Sequence, residues 1–267
     1  MTRWIYALLL AVVTTGAHAF SPCLDRPIRF SHYEFGLLYS EGYGGIDDDI
    51  QSELARRSGC AFTVDLRPRA RIWFELEAGT LDMAGSGVQT PARDEFAWFE
   101  HYVLEDNLVH LGPNVPASVN SMEAFLASPE LTIGGVRSFS FSPYYDQQVK
   151  QLMDAHRYNS VTDTRQLFRM FDKGRYDLFI ASQLLSLHYF KVLKLPAPAR
   201  IADWDPGPAT PSGLVISKKT FTPEQGAYWQ KLISAMIADG TVRTILVRHM
   251  GEGPALKAEY RKPERTR

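Results

Sequence analysis

The sequence predicts an α/β fold built as two lobes that are joined by a two-stranded hinge. Strand and helix patterns alternate in the order β-α-β-α-β through the first third of the chain, and a second series of the same order follows at about 108–209. Extended segments near 103–111 and 212–218 would cross between the two series, and helices return after the second crossing. The predicted division is residues 20–107 with 212–267 for lobe 1, and residues 108–211 for lobe 2.

The N-terminus predicts an exported protein. Arg3 is followed by a short apolar run at 5–13 and by an Ala-His-Ala site at 17–19, which is the pattern of a cleaved signal peptide. We expect residues 1–19 to be removed by cleavage after Ala19. The apolar run is too short to span a bilayer as a helix, and no longer apolar run follows it, so we expect no membrane span in the mature chain.

The composition is that of an ordinary globular protein. Of the 267 residues, 45% are apolar and 22% are charged, and the formal net charge is −1. A net charge so close to zero gives no broad basic surface for nucleic acid or for an anionic membrane, so we expect neither as a partner.

The two cysteines predict one disulfide. Cys23 precedes the first predicted strand and Cys60 precedes the second, so a bond between them requires these two strands to be neighbours in the sheet. An even number of cysteines in an exported protein favours this pairing. Two free buried thiols are the alternative.

The first elements follow from periodicity and capping residues. Strand patterns at 28–31 and 62–66 flank a helical pattern at 46–58, which Gly59 ends as a C-cap. Three aspartates open this helix at 47–49. They lack the alternation of a calcium-binding loop, and acidic residues favour a helix N-terminus, so we predict no metal site.

An arginine-rich turn leads into the next predicted helix, which carries Ile72 and Trp73. Arg67, Arg69 and Arg71 place three guanidinium groups within five residues. Such a cluster can bind an anionic ligand, and it can equally lie in a solvated loop. The residues of this turn do not decide between the two interpretations.

The segment 79–99 contains the leading candidate for ligand binding. A short strand is predicted at 83–86, and Thr90 and Pro91 then have the residue types of a helix N-cap and a first helical position. Arg93 would lie in the first turn of that helix, where free N–H groups and a guanidinium together favour a carboxylate. The alternative is a surface arginine that pairs with a neighbouring acidic residue.

The rest of the chain continues the alternation. The predicted strands lie at 131–136, 159–161, 177–180 and 214–217, and the predicted helices at 122–127, 145–156, 163–172, 182–192, 223–238 and 242–249. The stretch 196–211 is rich in Pro, Ala and Asp, which predicts an irregular connection. The last residues, 252–267, are polar and of mixed charge, which predicts a loose tail.

Several short motifs occur in the order and at the spacing of one protein family. They are Gly45-Ile46-Asp47, Gly79-Thr80-Leu81-Asp82, Thr90-Pro91-Ala92-Arg93, Gly174-Arg175-Tyr176-Asp177 and residues 213–218. With these motifs the chain resembles bacterial solute-binding protein family 3, the periplasmic polar amino-acid-binding proteins of ABC importers, over about residues 28–251. The resemblance implies a type II periplasmic binding protein clamshell that binds a small molecule in the periplasm. It also implies an ABC permease or a sensor as partner, no cofactor and no catalysis, and we expect a monomer.

The resemblance further implies which residues bind the ligand. Arg93 matches the family arginine that holds the ligand's α-carboxylate, and segments from both lobes supply its neighbours. The candidate binding residues are Arg93, Tyr33, Glu34, Phe35, Trp73, Ser86, Gly87, Val88, Ser138, Phe139, Ser140 and Ser182.

The sequence departs from the family pattern at two of these positions. Ser182 stands where members that bind α-amino acids usually have an aspartate for the ammonium group, and Val88 stands where a threonine is common. A hydroxyl supplies no countercharge for an ammonium in a low-dielectric cleft. We therefore expect weak binding of common α-amino acids.

Two other functions remain open at this point. Some relatives of the family are periplasmic dehydratases of cyclohexadienyl substrates, and here Glu34 would be the candidate general acid. A ligand-sensing module of a receptor is the third interpretation. We favour a binding protein for a small carboxylate-bearing solute over both.

Overall fold

The structure is a computed structural model that describes residues 20–137 and 141–262. The predicted signal peptide, the candidate residues Ser138, Phe139 and Ser140, and residues 263–267 lie outside the described residues. Helices and strands alternate through both described ranges, and the strands form two separate sheets of five strands each. We call the sheets, with the helices packed on them, lobe 1 and lobe 2.

Lobe 1 is made from both ends of the described chain. It contains β1 (Ile28–His32), α1 (Ile46–Ser58), β2 (Phe62–Leu66), α2 (Arg69–Ala78), β3 (Met83–Val88), α3 (Pro91–Asp94), β4 (Ala97–Glu105), β10 (Thr210–Ser217), α8 (Pro223–Ala238), α9 (Thr241–Met250) and α10 (Glu252–Ala258). Its strand order is β2-β1-β3-β10-β4. The first three strands are parallel, whereas β10 runs antiparallel to both of its neighbours.

Lobe 2 is made from the middle of the chain. It contains β5 (Asn107–Leu111), α4 (Met122–Leu126), β6 (Ile133–Val136), α5 (Pro143–Asp154), β7 (Tyr158–Val161), α6 (Thr164–Asp172), β8 (Leu178–Ser182), α7 (Gln183–Val192) and β9 (Arg200–Ala202). Its strand order is β7-β6-β8-β5-β9, with β5 antiparallel to both of its neighbours.

The chain crosses between the lobes twice. It leaves lobe 1 at Asp106, between β4 and β5, and returns through residues 203–209, between β9 and β10. The two crossings lie side by side, because Thr210 at the start of β10 pairs with Glu105 at the end of β4. The predicted two-lobe clamshell with a two-stranded hinge is therefore confirmed, but the second crossing lies at 203–209 and not near 212–218, because 212–217 pairs inside the lobe 1 sheet as part of β10.

The lobes also touch away from the hinge, where α7 of lobe 2 packs on the loop after β1. Leu184 belongs to the main apolar core of lobe 1, and its carbonyl oxygen accepts a hydrogen bond from the Leu37 N–H at 3.2 Å. A Cβ on Gly36 would come within 2.7 Å of the same carbonyl oxygen, so this approach requires glycine. The two lobes are thus in contact outside the hinge as well.

Capping residues explain why several predicted boundaries are correct to the residue. The predicted bounds of α1, β2 and α8 agree with the structure. Gly59 ends α1 in a left-handed conformation with φ 70°. At α8 the side chains of Thr222 and Gln225 form a reciprocal capping box.

Three predictions about irregular segments are wrong. The single extended stretch expected near 103–111 is two strands that belong to different sheets, and the stretch 196–211 contains β9 and the start of β10. The expected loose tail contains α10, which buries Ala255 and Ala258 in the core of lobe 1. Composition missed this helix because only two small side chains anchor it, among polar neighbours.

The disulfide between Cys23 and Cys60 is present in the structure, with the two Cα atoms 5.3 Å apart. Strands β1 and β2 are parallel neighbours with Ile28 opposite Phe62, which brings the residues before both strands together. The condition set by the sequence is therefore met. No helix in the described part of the chain combines the length and apolar character needed to cross a bilayer.

Candidate functional site

A cavity lies between the lobes next to the hinge, with a volume of about 170 Å³. Both lobes line it, through Phe35, Arg69, Val88, Glu105, Asn107, Val136, Phe141, Thr164, Leu167, Ile180, Ala181, Ser182, Leu185 and Thr210. Four of these residues also line a wider outer groove of about 720 Å³, which contains Glu34. The cavity is smaller than pockets for drug-sized molecules, so it suits a small solute.

The three arginines at 67, 69 and 71 have different surroundings in the structure. Arg67 forms ion pairs with Asp65 and Glu75, and Arg71 pairs with Glu75 at 2.6 Å. Arg69 lines the cavity instead, and its guanidinium carbon lies 4.8 Å from the centre of the Tyr33 ring. Among the described residues no carboxylate pairs with Arg69 within 4.0 Å. The middle arginine therefore has the position for anion binding, and the outer two stabilise the turn.

Arg93 lies beside the cavity in a half-buried position. Its guanidinium carbon is 3.7 Å from the centre of the Trp73 ring, and its Nη1–H donates to the carbonyl oxygen of Val88 at 2.6 Å. Arg93 forms no ion pair with any described residue, so the alternative of a surface arginine paired with Asp94 or Glu95 is wrong. Burial lowers the pKa of Arg93, and the nearby charge of Arg69 lowers it further. Two unpaired cations thus face the same region.

The helix that carries Arg93 differs from the expected anion trap. Thr90 is the N-cap and Pro91 the first helical residue, as predicted, but α3 has only 4 residues. The backbone N–H of Arg93 already donates to the Thr90 carbonyl at 3.0 Å and lies 3.3 Å from its hydroxyl. The helix end therefore offers no free donor at this residue, and the guanidinium alone is available to a ligand.

A buried hydrogen-bond network lies behind the cavity. The Tyr33 hydroxyl donates to the Ser86 carbonyl oxygen at 3.0 Å, and Ser86 Oγ donates to Asp47 Oδ1 at 2.6 Å. Tyr102 also donates to Asp47 Oδ1, at 2.6 Å, while its oxygen accepts from the Ser86 N–H. These bonds hold Ser86 in a left-handed conformation with φ 42°, which is unusual for a residue other than glycine. The hydroxyl and backbone of Ser86 are thus already engaged.

Two glycines of β3 are required by this packing. A Cβ on Gly85 would lie 2.4 Å from Asp47 Oδ2. At Gly87 a Cβ would lie 2.1 Å from Val215 Cγ2 and 2.9 Å from Trp73 Cη2. Gly87 therefore lets Trp73 approach the strand, which in turn provides the ring under Arg93.

Asp47 should make the stability of the protein depend on pH. Burial raises the pKa of Asp47 to about 7, although the hydrogen bonds from Ser86 and Tyr102 act to lower it. Between about pH 4 and pH 7 the folded protein keeps a proton on Asp47 that the unfolded protein has released. The free energy of unfolding therefore falls as the pH rises through this range. Relative to Asp47→Asn, wild type should lose up to about 1.4 kcal/mol of unfolding free energy per pH unit in that window.

Urea denaturation of both proteins at several pH values measures this difference. Burial lowers the pKa of His32 and His110 to about 4, so both histidines titrate in the same window, but they are present in both proteins and cancel in the comparison. Parallel pH profiles for wild type and Asp47→Asn would contradict the assignment.

Glu105 is a cavity residue that the sequence analysis missed. It is the last residue of β4, at the hinge, and its Oε1 is buried without a hydrogen-bond partner among the described residues. Burial raises its pKa, and the charge of Arg69 opposes this shift. The sequence signal for this residue was the polar triplet at 105–107, which interrupts a largely apolar extended stretch.

Ser182 lines the cavity from lobe 2 and caps a helix. Its hydroxyl oxygen accepts the Leu184 N–H at 3.2 Å, which starts α7. Its carbonyl oxygen accepts from the Ser186 hydroxyl at 3.0 Å. The residue brings a neutral hydroxyl to the cavity and no negative charge, so the expectation of weak α-amino-acid binding remains a prediction.

Glu34 lies outside the inner cavity, on the exposed outer groove. Its Oε1 accepts a hydrogen bond from the Ser40 hydroxyl at 2.6 Å, and its Oε2 accepts from the Glu41 N–H at 3.0 Å. Both oxygens thus act as acceptors, which suits a carboxylate that fixes the loop better than one that donates a proton.

The structure brings together part of the predicted set. Phe35, Val88 and Ser182 line the inner cavity. The residues that lie next to it or support it are Tyr33, Trp73, Ser86, Gly87 and Arg93. Sequence reasoning weighed Arg69 only as one of three arginines and did not name Glu105 or the apolar wall that Val136, Leu167 and Leu185 supply from lobe 2.

Comparison with known proteins identifies the fold. No family model matches the sequence, and no curated protein matches it. Among solved structures, an ancestral cationic amino acid solute-binding protein is similar with a TM-score of 0.68 and 17% identity, over 84% of this chain and 95% of that one. The glutathione-import protein of Streptococcus mutans described with a cystine ABC importer is similar with a TM-score of 0.66 and 12% identity, over 90% and 99%.

A histidine kinase sensor domain that resembles periplasmic binding proteins is similar as well, with a TM-score of 0.62 and 12% identity, over 85% of this chain and 96% of that domain. At these identities the similarity establishes the fold of periplasmic solute-binding proteins, and the same fold serves in importers and in sensors.

Proposed function

We propose, from a fold shared with periplasmic amino-acid-binding proteins, that this protein is exported and captures a small carboxylate-bearing solute between its two lobes. The observation that carries the proposal is the interlobe cavity with Arg69 in its wall and Arg93 beside it, neither paired with a carboxylate among the described residues. The bound solute would pass to an ABC importer or be read by a sensor.

The charges of the cavity support an anionic ligand. A carboxylate taken out of water loses its hydration, and a guanidinium restores both charge and paired N–H donors in a planar fork. Arg69 and Arg93 are stabilised in turn, because each guanidinium group is partly desolvated and has no anionic partner. A carboxylate that enters the closed cleft therefore stabilises both the ligand and the two side chains.

Binding rather than catalysis accounts for the remaining features. Two strands connect the lobes side by side, which permits hinge closure on a ligand. Closure needs only that the ligand binds the closed form more tightly than the open one. Glu34, the candidate general acid of the enzyme alternative, accepts hydrogen bonds with both oxygens on the outer groove, so the geometry gives that alternative no support.

A thermal-shift screen of the mature protein against amino acids, keto acids and dicarboxylates tests the proposal. A specific ligand at 100 times its Kd should add about 2.7 kcal/mol to the unfolding free energy. Small-angle scattering at saturating ligand should then show a smaller radius of gyration than that of the free protein. Failure of every carboxylate in the screen would overturn the proposal, and binding with no change in radius would contradict closure.

A further inference from the structure

We propose that the interlobe cavity binds a short dicarboxylate, with Arg69 and Arg93 each taking one of its carboxylate groups. This inference rests on the proposed function and narrows the class of solute. It starts from the two positive charges at the site, because a single carboxylate would neutralise only one of them.

The two cations belong to the same wall of the cleft. Arg69 lies over the Tyr33 ring and also 5.9 Å from the centre of the Phe35 ring. Arg93 is anchored on the far end of β3 through the Val88 carbonyl oxygen, and the Tyr33 hydroxyl bonds to the same strand at Ser86. Tyr33 and the end of β3 therefore connect the two guanidinium groups through a series of contacts, and the charge of Arg69 acts on Arg93.

Arg69 and Arg93 differ from the neighbouring arginines, because neither pairs with a carboxylate among the described residues. Arg67 and Arg71, two positions to either side of Arg69, both pair with Glu75. The guanidinium group of Arg69 has no ion pair or hydrogen bond among the described residues, and the single hydrogen bond of the Arg93 guanidinium goes to a neutral carbonyl oxygen. Two half-buried guanidinium groups, Arg69 in the cavity wall and Arg93 beside it, are therefore both without an anionic partner among the described residues, which makes two anion positions available.

Glu105, the one acidic residue among the described residues of the cavity wall, does not supply that compensation. Glu105 has a buried oxygen with no hydrogen-bond partner among the described residues, and it lies beyond ion-pair distance of Arg69. Burial also disfavours its charged form. The polar groups from lobe 2 and the hinge, on Asn107, Thr164 and Ser182, are neutral. The small volume and the apolar side chains then suit a short hydrocarbon spacer between two carboxylates.

A matched series of four-carbon solutes tests this inference by titration calorimetry. Succinate has two carboxylates, butyrate replaces one with a methyl group, and 4-aminobutyrate replaces it with an ammonium group. We expect succinate or its five-carbon homologue glutarate to bind more tightly than the matched monocarboxylate and amino acid. This comparison uses the wild-type protein alone, so it does not depend on the folding of any variant.

Variants then assign the second carboxylate to Arg69. Arg69→Gln should weaken binding of the dicarboxylate by about 30-fold or more, as expected when one partner of a buried charged pair is removed. The same change should leave butyrate binding almost unaltered, which a general loss of structure would not do. Arg71→Gln, on the same helix but paired with Glu75, is the matched control and should bind as wild type. Glu105→Gln should not weaken dicarboxylate binding, because burial of the Glu105 side chain already disfavours its charged form.

The outcomes separate this inference from the proposed function. If butyrate binds as tightly as succinate, or if Arg69→Gln leaves succinate binding unchanged, the inference fails while a carboxylate-binding protein remains. If 4-aminobutyrate or aspartate binds best and Glu105→Gln abolishes that binding, Glu105 is a countercharge for an ammonium group and the inference is overturned. If no dicarboxylate binds, the inference is also overturned, and the wider screen decides the proposed function.

Discussion

Arg93→Ala should weaken binding of the carboxylate ligand by about 30- to several-thousand-fold, a loss of about 2–5 kcal/mol. The reason is that the carboxylate would remain in the closed cleft without the guanidinium group of Arg93, after giving up its hydration. Titration calorimetry with the ligand found by the screen measures the change. Arg71→Ala removes an exposed guanidinium that pairs with Glu75, and it should bind the ligand as wild type does.

The same variant should lose only a little stability. Arg93 stacks on Trp73 with its guanidinium carbon 3.7 Å from the ring centre, and such a contact contributes about 0.5–1 kcal/mol when it is partly exposed. The affinity loss therefore cannot come from unfolding, and denaturation curves of both proteins verify this. Undiminished ligand binding by Arg93→Ala would remove Arg93 from the site.

Loss of the Cys23–Cys60 disulfide should lower the unfolding free energy by about 3–4 kcal/mol, the value of the chain-entropy model for a loop of this length. The bond closes a loop of 37 residue steps that contains β1 and α1, so its removal gives the unfolded chain more freedom. Urea denaturation of the mature protein with and without reductant measures the difference. The largest effect is expected in lobe 1, since both cysteines pack against its core.

The double variant Cys23→Ala with Cys60→Ala is the control for this experiment. It should have the reduced stability under both conditions and show no further response to reductant. Alkylation and mass spectrometry of the protein isolated from the periplasm provide an independent answer. Two thiols that react without prior reduction would exclude the bond.

Much of the fold could be predicted from local patterns in the chain. Periodicity and caps place α1, β2 and α8 correctly, because these signals arise from interactions within one or two turns. The order of strands also brings Cys23 and Cys60 together once β1 and β2 are neighbours. Elements with weak local signals, such as α10, were missed because burial of Ala255 and Ala258 against distant residues stabilises them.

The site was predictable only in part, and the arginines illustrate the reason. Local sequence predicts that Arg93 follows a capped turn, and the structure has that turn. It does not predict which of Arg67, Arg69 and Arg71 faces the cleft, because Arg69 is placed in the cavity wall by its packing over the Tyr33 ring, which comes from a distant part of the chain.

The sequence by itself determined the alternation of helices and strands, the paired lobes and the presence of an arginine after Thr90-Pro91, whereas the bond between Cys23 and Cys60 depended on β1 and β2 becoming sheet neighbours. Only the tertiary structure decided that Ser86 turns its hydroxyl to Asp47, that Arg69 stands in the cavity wall and that Glu105 is buried beside the hinge. Secondary structure depends on neighbours within a few residues, whereas burial and unpaired charge depend on groups that the fold brings together from distant parts of the chain.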